Sequence, residues 1–151
     1  MAESTEITEI RAAVRQLCST FGEDYWLELD RSRGYPTEFV KALTDSGFLT
    51  VLIPEAYGGS GLGVYEASII MEEVCRSGAH AGACHAQMYV MGSVLRHGSE
   101  AQKKHYLPKI ASGELRLQSF GVTEPTTGTD TTSLKTTARL DGDHYVINGQ
   151  K

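Results

Sequence analysis

Apolar residues recur at steps of three and four along the start of the chain, which is the spacing of an amphipathic helix. In the first segment these residues are Ile7, Ile10, Val14, Leu17 and Phe21. Ser4 or Thr5 precedes them and is placed to cap the helix, with acidic side chains near the positive end of its dipole. The pattern therefore predicts an N-terminal helix that buries one face.

Four further helices are predicted from the same periodicity and from their end signals. They span about residues 37–47, 64–76, 80–96 and 99–112. Pro36 favours the start of the first of these and Gly47 its end, and Ser99 with Gln102 forms a capping-box pattern before the last. Between residues 48 and 63, an apolar run with Pro54 indicates an extended segment. The glycines that follow lack a phosphate-binding motif and indicate a structural turn.

The pattern changes to a β type near residue 114. Residues 115–123 alternate apolar and polar side chains, and residues 136–140 and 145–147 are rich in strand formers, with Asp141-Gly142-Asp143 as a hairpin turn between them. We therefore predict an α+β fold, with an all-helical domain at residues 1–113 followed at 114–151 by the first strands of a β-barrel or sandwich domain. Three strands with an open edge are a poor independent fold, so we expect a truncated sequence.

Composition and charge restrict the function classes. The chain has 151 residues, of which 40% are hydrophobic and 22% charged, and its formal net charge is 14 − 19 = −5. This argues against nucleic acid or an anionic membrane as a partner, because both attract clustered cations. The three cysteines have no CxxC spacing, the start is neither a signal nor a transit peptide, and no apolar run would span a bilayer. We expect a cytoplasmic protein.

The segment GVTEPTTGTD at residues 121–130 is the strongest candidate for chemistry. Free N–H groups at a turn attract anions such as phosphate, and threonine hydroxyls add donors. A capped loop that joins two strands explains the same composition, and the residues alone favour that structural alternative.

Other candidates are weaker. His80 and Cys84 stand at i, i+4 on a predicted helix, but no further metal ligands are patterned around them. Arg11 and Arg15 are expected to be solvated helix residues.

The motif at residues 121–130, with Ser133 three residues further on, resembles the first signature of the acyl-CoA dehydrogenase family. Three other landmarks occur in the family's order: PEAYGGSG at 54–61, HGSEAQKKHYLPKIASG at 97–113 and YVINGQK at 145–151. One position departs from the family pattern, because Thr127 stands where the family usually has Gly, Ser, Ala or Asn. A β-branched residue resists positive φ, so the exact geometry of the turn is open.

The resemblance implies a full protein with a C-terminal helical bundle after the β domain, an FAD cofactor and an acyl-CoA substrate. By similarity, the cofactor-binding residues are Phe120, Val122, Thr123, Gly128 and Thr129. The substrate-binding residues would be Thr129 together with His85, Met88 and Tyr89 on the fourth predicted helix, for which core packing is an equally good explanation.

The implied reaction is α,β-dehydrogenation of an acyl-CoA, with removal of the α proton by a glutamate that lies outside this chain. No catalytic residue is therefore assigned, and Glu124 is interpreted as a residue that shapes the loop. The resemblance also implies a homotetramer and an electron-transfer flavoprotein as acceptor, and we expect the 151 residues alone to be inactive and to hold FAD weakly. The alternatives are a flavoprotein of the same fold with oxidase or monooxygenase activity, or a non-catalytic binding relative.

Overall fold

The computed structural model describes residues 4–151, which divide into a unit that ends at Gln118 and a second unit, Ser119–Lys151. The first unit contains the helices α1 (Thr5–Ser19), α2 (Glu23–Ser32), α3 (Thr37–Asp45), α4 (Val64–Arg76), α5 (Gly82–His97) and α6 (Glu100–Ala111). The second unit contains the strands β1 (Thr137–Asp141) and β2 (His144–Asn148). Helices followed by antiparallel strands confirm the predicted α+β class.

The helix ends follow the local signals in the sequence. The Ser4 hydroxyl accepts a hydrogen bond from the Ile7 N–H at 3.3 Å and so caps α1. Ser99 and Gln102 form a reciprocal capping box, with distances of 3.2 Å from the Gln102 N–H to the Ser99 hydroxyl and 2.8 Å from the Ser99 N–H to the Gln102 side chain. The bounds of α4 agree with the prediction, and those of α5 and α6 agree to within two residues.

The core of the helical unit is apolar and lies mainly between α1, α3, α4 and α5. Phe39 of α3 is fully buried, and its ring packs edge-on against Phe21 and Trp26 at centroid distances of 5.2 and 4.9 Å. A smaller cluster between α5 and α6 is formed by Ile53, Met91, Leu107 and Ile110. Burial of these side chains removes apolar surface from water and stabilises the helix arrangement.

A buried ion-pair cluster joins α1 to α4. The Glu73 side chain is fully buried, and it accepts hydrogen bonds from Arg11 at 2.6 Å and from Arg15 at 2.6 and 2.8 Å. The expectation that Arg11 is a solvated helix residue is therefore wrong, because its side chain is only 14% exposed and pairs with this buried carboxylate. Arg15 is exposed as expected, at 52%, and it also pairs with Glu73. The hydrogen bonds of the two arginines, led by that of Arg15, lower the pKa of Glu73 to about 2.

Two local predictions need correction. Helix α2 lies between the first two predicted helices, in a stretch for which no element was predicted. None of its residues is fully buried, although Tyr25 and Trp26 pack against the core. The predicted extended run before Pro54 is instead a 3₁₀ turn at Phe48–Thr50, followed by a second at Glu55–Tyr57.

The predicted strand at residues 115–123 does not form. These residues have no regular secondary structure, and none of them joins a β ladder within residues 4–151. Leu115 and Leu117 pack against the cluster between α5 and α6, and the intervening Arg116 donates to the Gln87 side chain at 3.3 Å. The alternation of apolar and polar residues here therefore reflects the packing of Leu115 and Leu117 on helices and not membership of a sheet.

The second unit is built around the predicted hairpin. Strands β1 and β2 pair antiparallel, with Thr137 opposite Asn148 and Asp141 opposite His144, so Gly142 and Asp143 form a two-residue loop. All ten strand residues are exposed on both faces. Of the helices described between residues 4 and 151, none is long and apolar enough to span a membrane.

Candidate functional site

The segment at residues 121–130 folds into a tight turn at its proline. The Glu124 N–H donates to the Thr127 carbonyl at 2.9 Å, and the Thr127 N–H donates back to the Glu124 carbonyl at 3.1 Å. Pro125 and Thr126 form the corner between these two bonds. Thr127 has no positive φ, since the described residues include Arg33 alone as a non-glycine residue in that region. The departure from the family pattern at Thr127 therefore causes no backbone strain.

The Glu124 carboxylate holds the loop together from inside. One oxygen accepts the Lys135 N–H at 2.7 Å, and the other accepts the Thr136 N–H at 3.0 Å and lies 3.1 Å from the Lys151 ammonium. The residue is only 6% exposed. These donors, led by the Lys135 N–H, lower the pKa of Glu124 to about 2. The fold itself uses this carboxylate, in agreement with its interpretation as a residue that shapes the loop.

Asp130 organises the end of the segment. It caps a 3₁₀ turn at Thr131–Ser133, and its carboxylate accepts from the Thr132 N–H at 3.1 Å and from the hydroxyls of Thr132 and Ser133. The Thr127 hydroxyl donates to the Asp130 carbonyl at 3.0 Å. The hydroxyl groups, led by that of Ser133, lower the pKa of Asp130. The hydroxyls of Thr127, Thr132 and Ser133 thus serve the local structure of the loop and of the turn that follows it.

The hydroxyls of Thr123 and Thr129 are not used by the loop's own hydrogen bonds. Thr123 and Thr129 are exposed, and within residues 4–151 their hydroxyls have no hydrogen-bond partner. A methyl group added at Gly128 would meet no atom within 4 Å, so a ligand could approach this backbone closely. Phe120 is 47% exposed and Val122 is half-buried. An exposed surface of backbone, hydroxyls and one aromatic ring fits the residues predicted to bind a dinucleotide.

Lys151 contacts the loop at residues 121–130, although the motif did not predict it as part of the site. Its ammonium donates to the Val122 carbonyl at 2.9 Å and also pairs with Glu124. The only indication in the sequence was that Lys151 ends the fourth landmark, YVINGQK. The contact itself could not be predicted, because Lys151 and Val122 are 29 residues apart in the chain.

The three residues predicted on α5 do not share one face. His85 and Tyr89 are exposed, and their rings lie 5.0 Å apart. Met88 is only 5% exposed and belongs to the helical core. Only His85 and Tyr89 are therefore placed to touch a ligand, and Met88 is placed to support the helix beneath them.

Two cavities border the exposed part of α5. One of about 850 Å³ is lined by Gly82, Ala83 and Ala86 of α5 and by Trp26, Tyr35 and Gln118, among others. A smaller one of about 230 Å³ is lined by Tyr89, Gly92, Ser93, Arg96 and His97. The lining of the larger cavity combines small and aromatic residues with the polar side chains of Asp30, Arg33 and His80, which suits an organic group that carries polar atoms.

His80 and Cys84 do not form the start of a metal site. Cys84 is fully buried, and burial raises the pKa of its thiol to about 12, whereas His80 is exposed. Among residues 4–151, no three His, Cys, Asp or Glu side chains are placed to hold a metal ion.

Comparison with known proteins gives the family. The sequence profile of the acyl-CoA dehydrogenase N-terminal domain matches residues 4–114. The acyl-CoA dehydrogenase FadE12 of Mycobacterium tuberculosis is 37% identical over 150 residues, which are 99% of this chain and 38% of that protein. The chain belongs to the acyl-CoA dehydrogenase family, and it spans about 38% of the length of this curated relative.

Solved structures agree with this assignment. The glutaryl-coenzyme A dehydrogenase glutaryl-CoA complex superposes with a TM-score of 0.83 at 34% identity, over 99% of this chain and 39% of that one. The acyl-CoA dehydrogenase complexed with FAD from Bacillus anthracis gives a TM-score of 0.77 at 33% identity, over 97% of this chain and 26% of that one. The chain therefore corresponds to the N-terminal part of an acyl-CoA dehydrogenase, with its helical domain and the start of the β domain.

Proposed function

We propose that the protein carrying this chain is an FAD-dependent dehydrogenase of acyl-CoA thioesters, which introduces an α,β double bond. FAD, when bound, supplies the acceptor for the β hydride. The observation that carries the proposal is that the loop at residues 121–130 uses some of its polar groups in its own hydrogen bonds and leaves others exposed. The loop's own hydrogen bonds use the carboxylates of Glu124 and Asp130 and the hydroxyl of Thr127, while Thr123, Gly128 and Thr129 present unused donors and open backbone.

The cofactor contacts are proposed at Phe120, Val122, Thr123, Gly128 and Thr129. Thr123 offers an N–H and a hydroxyl, and Thr129 a hydroxyl, as donors to the cofactor's ring edge or its pyrophosphate. Gly128 allows close approach because no side chain intervenes. An FAD-containing structure of a relative supports the cofactor, and the preformed turn supports these residues as its contacts.

The acyl-CoA contacts are proposed at Thr129 and on the exposed face of α5. His85 and Tyr89 would line the site, and Met88 would hold α5 in place from the core. The cavity of about 850 Å³ beside Ala83 and Ala86 is large enough for an acyl group. A relative bound to glutaryl-CoA supports the substrate class but not the acyl chain.

No catalytic base is proposed within residues 4–151. Glu124 cannot serve, because two N–H groups and an ammonium occupy its carboxylate oxygens and lower its pKa to about 2, which makes it a weak base. A preorganised carboxylate from another part of the protein would remove the α proton. We further propose a cytoplasmic homotetramer that passes its electrons to an electron-transfer flavoprotein.

The test is the visible spectrum of the complete natural protein that carries this chain. We expect bound FAD in about equal molar amount and anaerobic bleaching of its absorption by one member of an acyl-CoA panel. A flavin that no acyl-CoA bleaches would favour a different reaction on the same fold. A colourless protein that takes up no added FAD would overturn the proposal.

Thr129→Ala tests the assigned contact. We expect FAD or acyl-CoA binding to weaken by about 1 kcal/mol, or roughly fivefold, because one hydrogen bond is lost. Thr126→Ala is the matched control, since Thr126 is an exposed residue of the same turn with no assigned role. Equal effects of the two variants would contradict the specific role of Thr129.

A further inference from the structure

Lys151 contacts two groups of the loop at residues 121–130, which is the candidate flavin-binding loop. Its ammonium lies 2.9 Å from the Val122 carbonyl oxygen and 3.1 Å from a carboxylate oxygen of Glu124. The Lys151 side chain is 33% exposed, and that of Glu124 is 4% exposed. The ion pair with the buried Glu124 fixes the position of the Lys151 ammonium, and the ammonium is therefore held beside the Val122 carbonyl.

Glu124 is itself fixed by the backbone. The N–H groups of Lys135 and Thr136 hold its two carboxylate oxygens at 2.7 and 3.0 Å. The chain that leads to Lys151 passes close to the backbone of Thr136, and Gly149 is the residue at the point of closest approach. A Cβ on Gly149 would lie 2.2 Å from the Thr136 hydroxyl oxygen, so only glycine permits this approach. Two independent features thus bring Lys151 to the loop.

The bond to the Val122 carbonyl has a consequence for the next N–H group. The described chain has no cis peptide bond, so the carbonyl of Val122 and the N–H of Thr123 point in opposite directions across one planar unit. With the carbonyl directed at Lys151, the N–H of Thr123 points away from it. Thr123 is exposed, and within residues 4–151 no atom accepts this N–H. The donor is left for a ligand.

We propose that Lys151 is a positioning residue for the cofactor: by holding the Val122 carbonyl, it turns the Thr123 N–H outward as a preorganised donor to the flavin. Lys151 does not touch the cofactor itself. The inference rests on the proposed function, because it takes the loop at residues 120–129 to be the FAD contact. A donor whose direction is fixed before binding loses less entropy when it bonds the ligand.

The experiment compares Lys151→Met with Lys151→Arg in the complete natural protein that carries this chain. Lys135→Met is the matched control, because Lys135 contributes its backbone N–H to Glu124 and keeps that group in the variant. FAD affinity is measured by titration of the apoprotein, and the position of the flavin absorption bands is recorded. Hydrogen exchange of the Lys135 and Thr136 amides reports whether the loop stays folded.

We expect Lys151→Met to weaken FAD binding about tenfold and to shift the flavin bands, while the Lys135 and Thr136 amides stay protected. Protection should persist because both amides bond to Glu124, which the variant retains. Lys151→Arg should restore affinity to within about threefold, since the guanidinium can donate to the same carbonyl. Lys135→Met should match the wild type.

Other results would overturn the inference. A wild type that binds FAD, with Lys151→Met binding it equally well, would leave the proposed function standing and remove the role of Lys151. Loss of amide protection together with FAD would make Lys151 a purely structural residue. A folded Lys151→Arg as weak as the methionine variant would exclude positioning through a hydrogen bond. A wild type that takes up no FAD would overturn the proposed function and this role with it.

Discussion

The two units of the chain are ordered by different forces. In the helical unit, Phe39, Leu43 and Ile70 are buried to at least 99%, and the buried carboxylate of Glu73 is neutralised by two arginines. In the unit formed by Ser119–Lys151, Glu124 is the one residue classed as buried, and Tyr145 and Ile147 are 66% and 72% exposed. Apolar burial orders the first unit, and hydrogen bonds to carboxylates order the second.

Because of this difference, the residues that stabilise the fold and the residues proposed to bind the cofactor lie in different units. A two-stranded hairpin with both faces exposed is at best marginally stable, so the second unit contributes little free energy of unfolding by itself. Its loop nevertheless presents preorganised donors, because Glu124 and Asp130 hold the turn without help from an apolar core. The candidate cofactor site thus depends on local polar contacts, and substitutions in the two units should have separable effects.

The largest expected effect is in the helical core. Phe39→Ala should lower the free energy of unfolding by about 3–5 kcal/mol, because a fully buried ring is replaced by a cavity. Urea denaturation of the chain, followed by helical circular dichroism, measures this. Leu27→Ala on α2 is the control, since Leu27 is 41% exposed and should change stability by less than about 1 kcal/mol. Similar losses for both variants would contradict the assigned core.

A smaller effect is expected at the buried ion pairs. Glu73→Gln should cost about 1–3 kcal/mol, because the arginines lose a charged acceptor inside the unit. Glu72→Gln is the matched control: Glu72 is 56% exposed, pairs with Arg11 at 2.9 Å and should change stability by less than about 1 kcal/mol. If Glu72→Gln were the more damaging change, the assignment of Glu73 as the central carboxylate would fail.

The same pair has a pH signature with a defined sign. The folded-state pKa of Glu73 is lowered from 4.5 to about 2, so its stabilising contribution is present above pH 4.5 and is lost as the pH falls towards 2. Denaturation midpoints measured between pH 5 and pH 2 should therefore fall more steeply for the wild type than for Glu73→Gln. Parallel pH dependences would contradict this cause.

The smallest effect is expected in the hairpin. Ile147→Ser should change the free energy of unfolding of the chain by less than about 0.5 kcal/mol, because the side chain is 72% exposed. The same denaturation experiment measures it, with Ile70→Ser on α4 as the buried counterpart. A loss above about 2 kcal/mol at Ile147 would show that a partner surface covers the hairpin, and the comparison of the two units would then be wrong.

The sequence predicted those features that depend on neighbouring residues. Ser4 and the Ser99–Gln102 pair mark helix starts because capping acts over three residues. The hairpin followed from Asp141-Gly142-Asp143 between two β-rich runs. The 121–130 segment was recognised from its own residues, and the family resemblance was confirmed by a sequence profile over residues 4–114.

The sequence misled where a pattern has two structural causes. Alternation of the kind seen at residues 115–123 arises both in strands and in irregular segments that pack apolar side chains on helices, and Leu115 and Leu117 pack in the second way. Helix α2 was missed because its charged residues make the segment polar overall, although Tyr25 and Trp26 pack against the core. On α5, helical spacing could not tell the exposed His85 from the buried Met88, because which side of the helix faces the core depends on the neighbouring helices.

The sequence by itself thus determined the order of elements, most of their ends, the family and the segment that carries the candidate cofactor site. Only the tertiary structure decided the partners of the charges: Arg11 and Arg15 with Glu73, and Lys151 with Glu124 and the Val122 carbonyl. The physical reason is distance along the chain. Caps and turns act within a few residues, whereas these ion pairs join residues that only folding brings together.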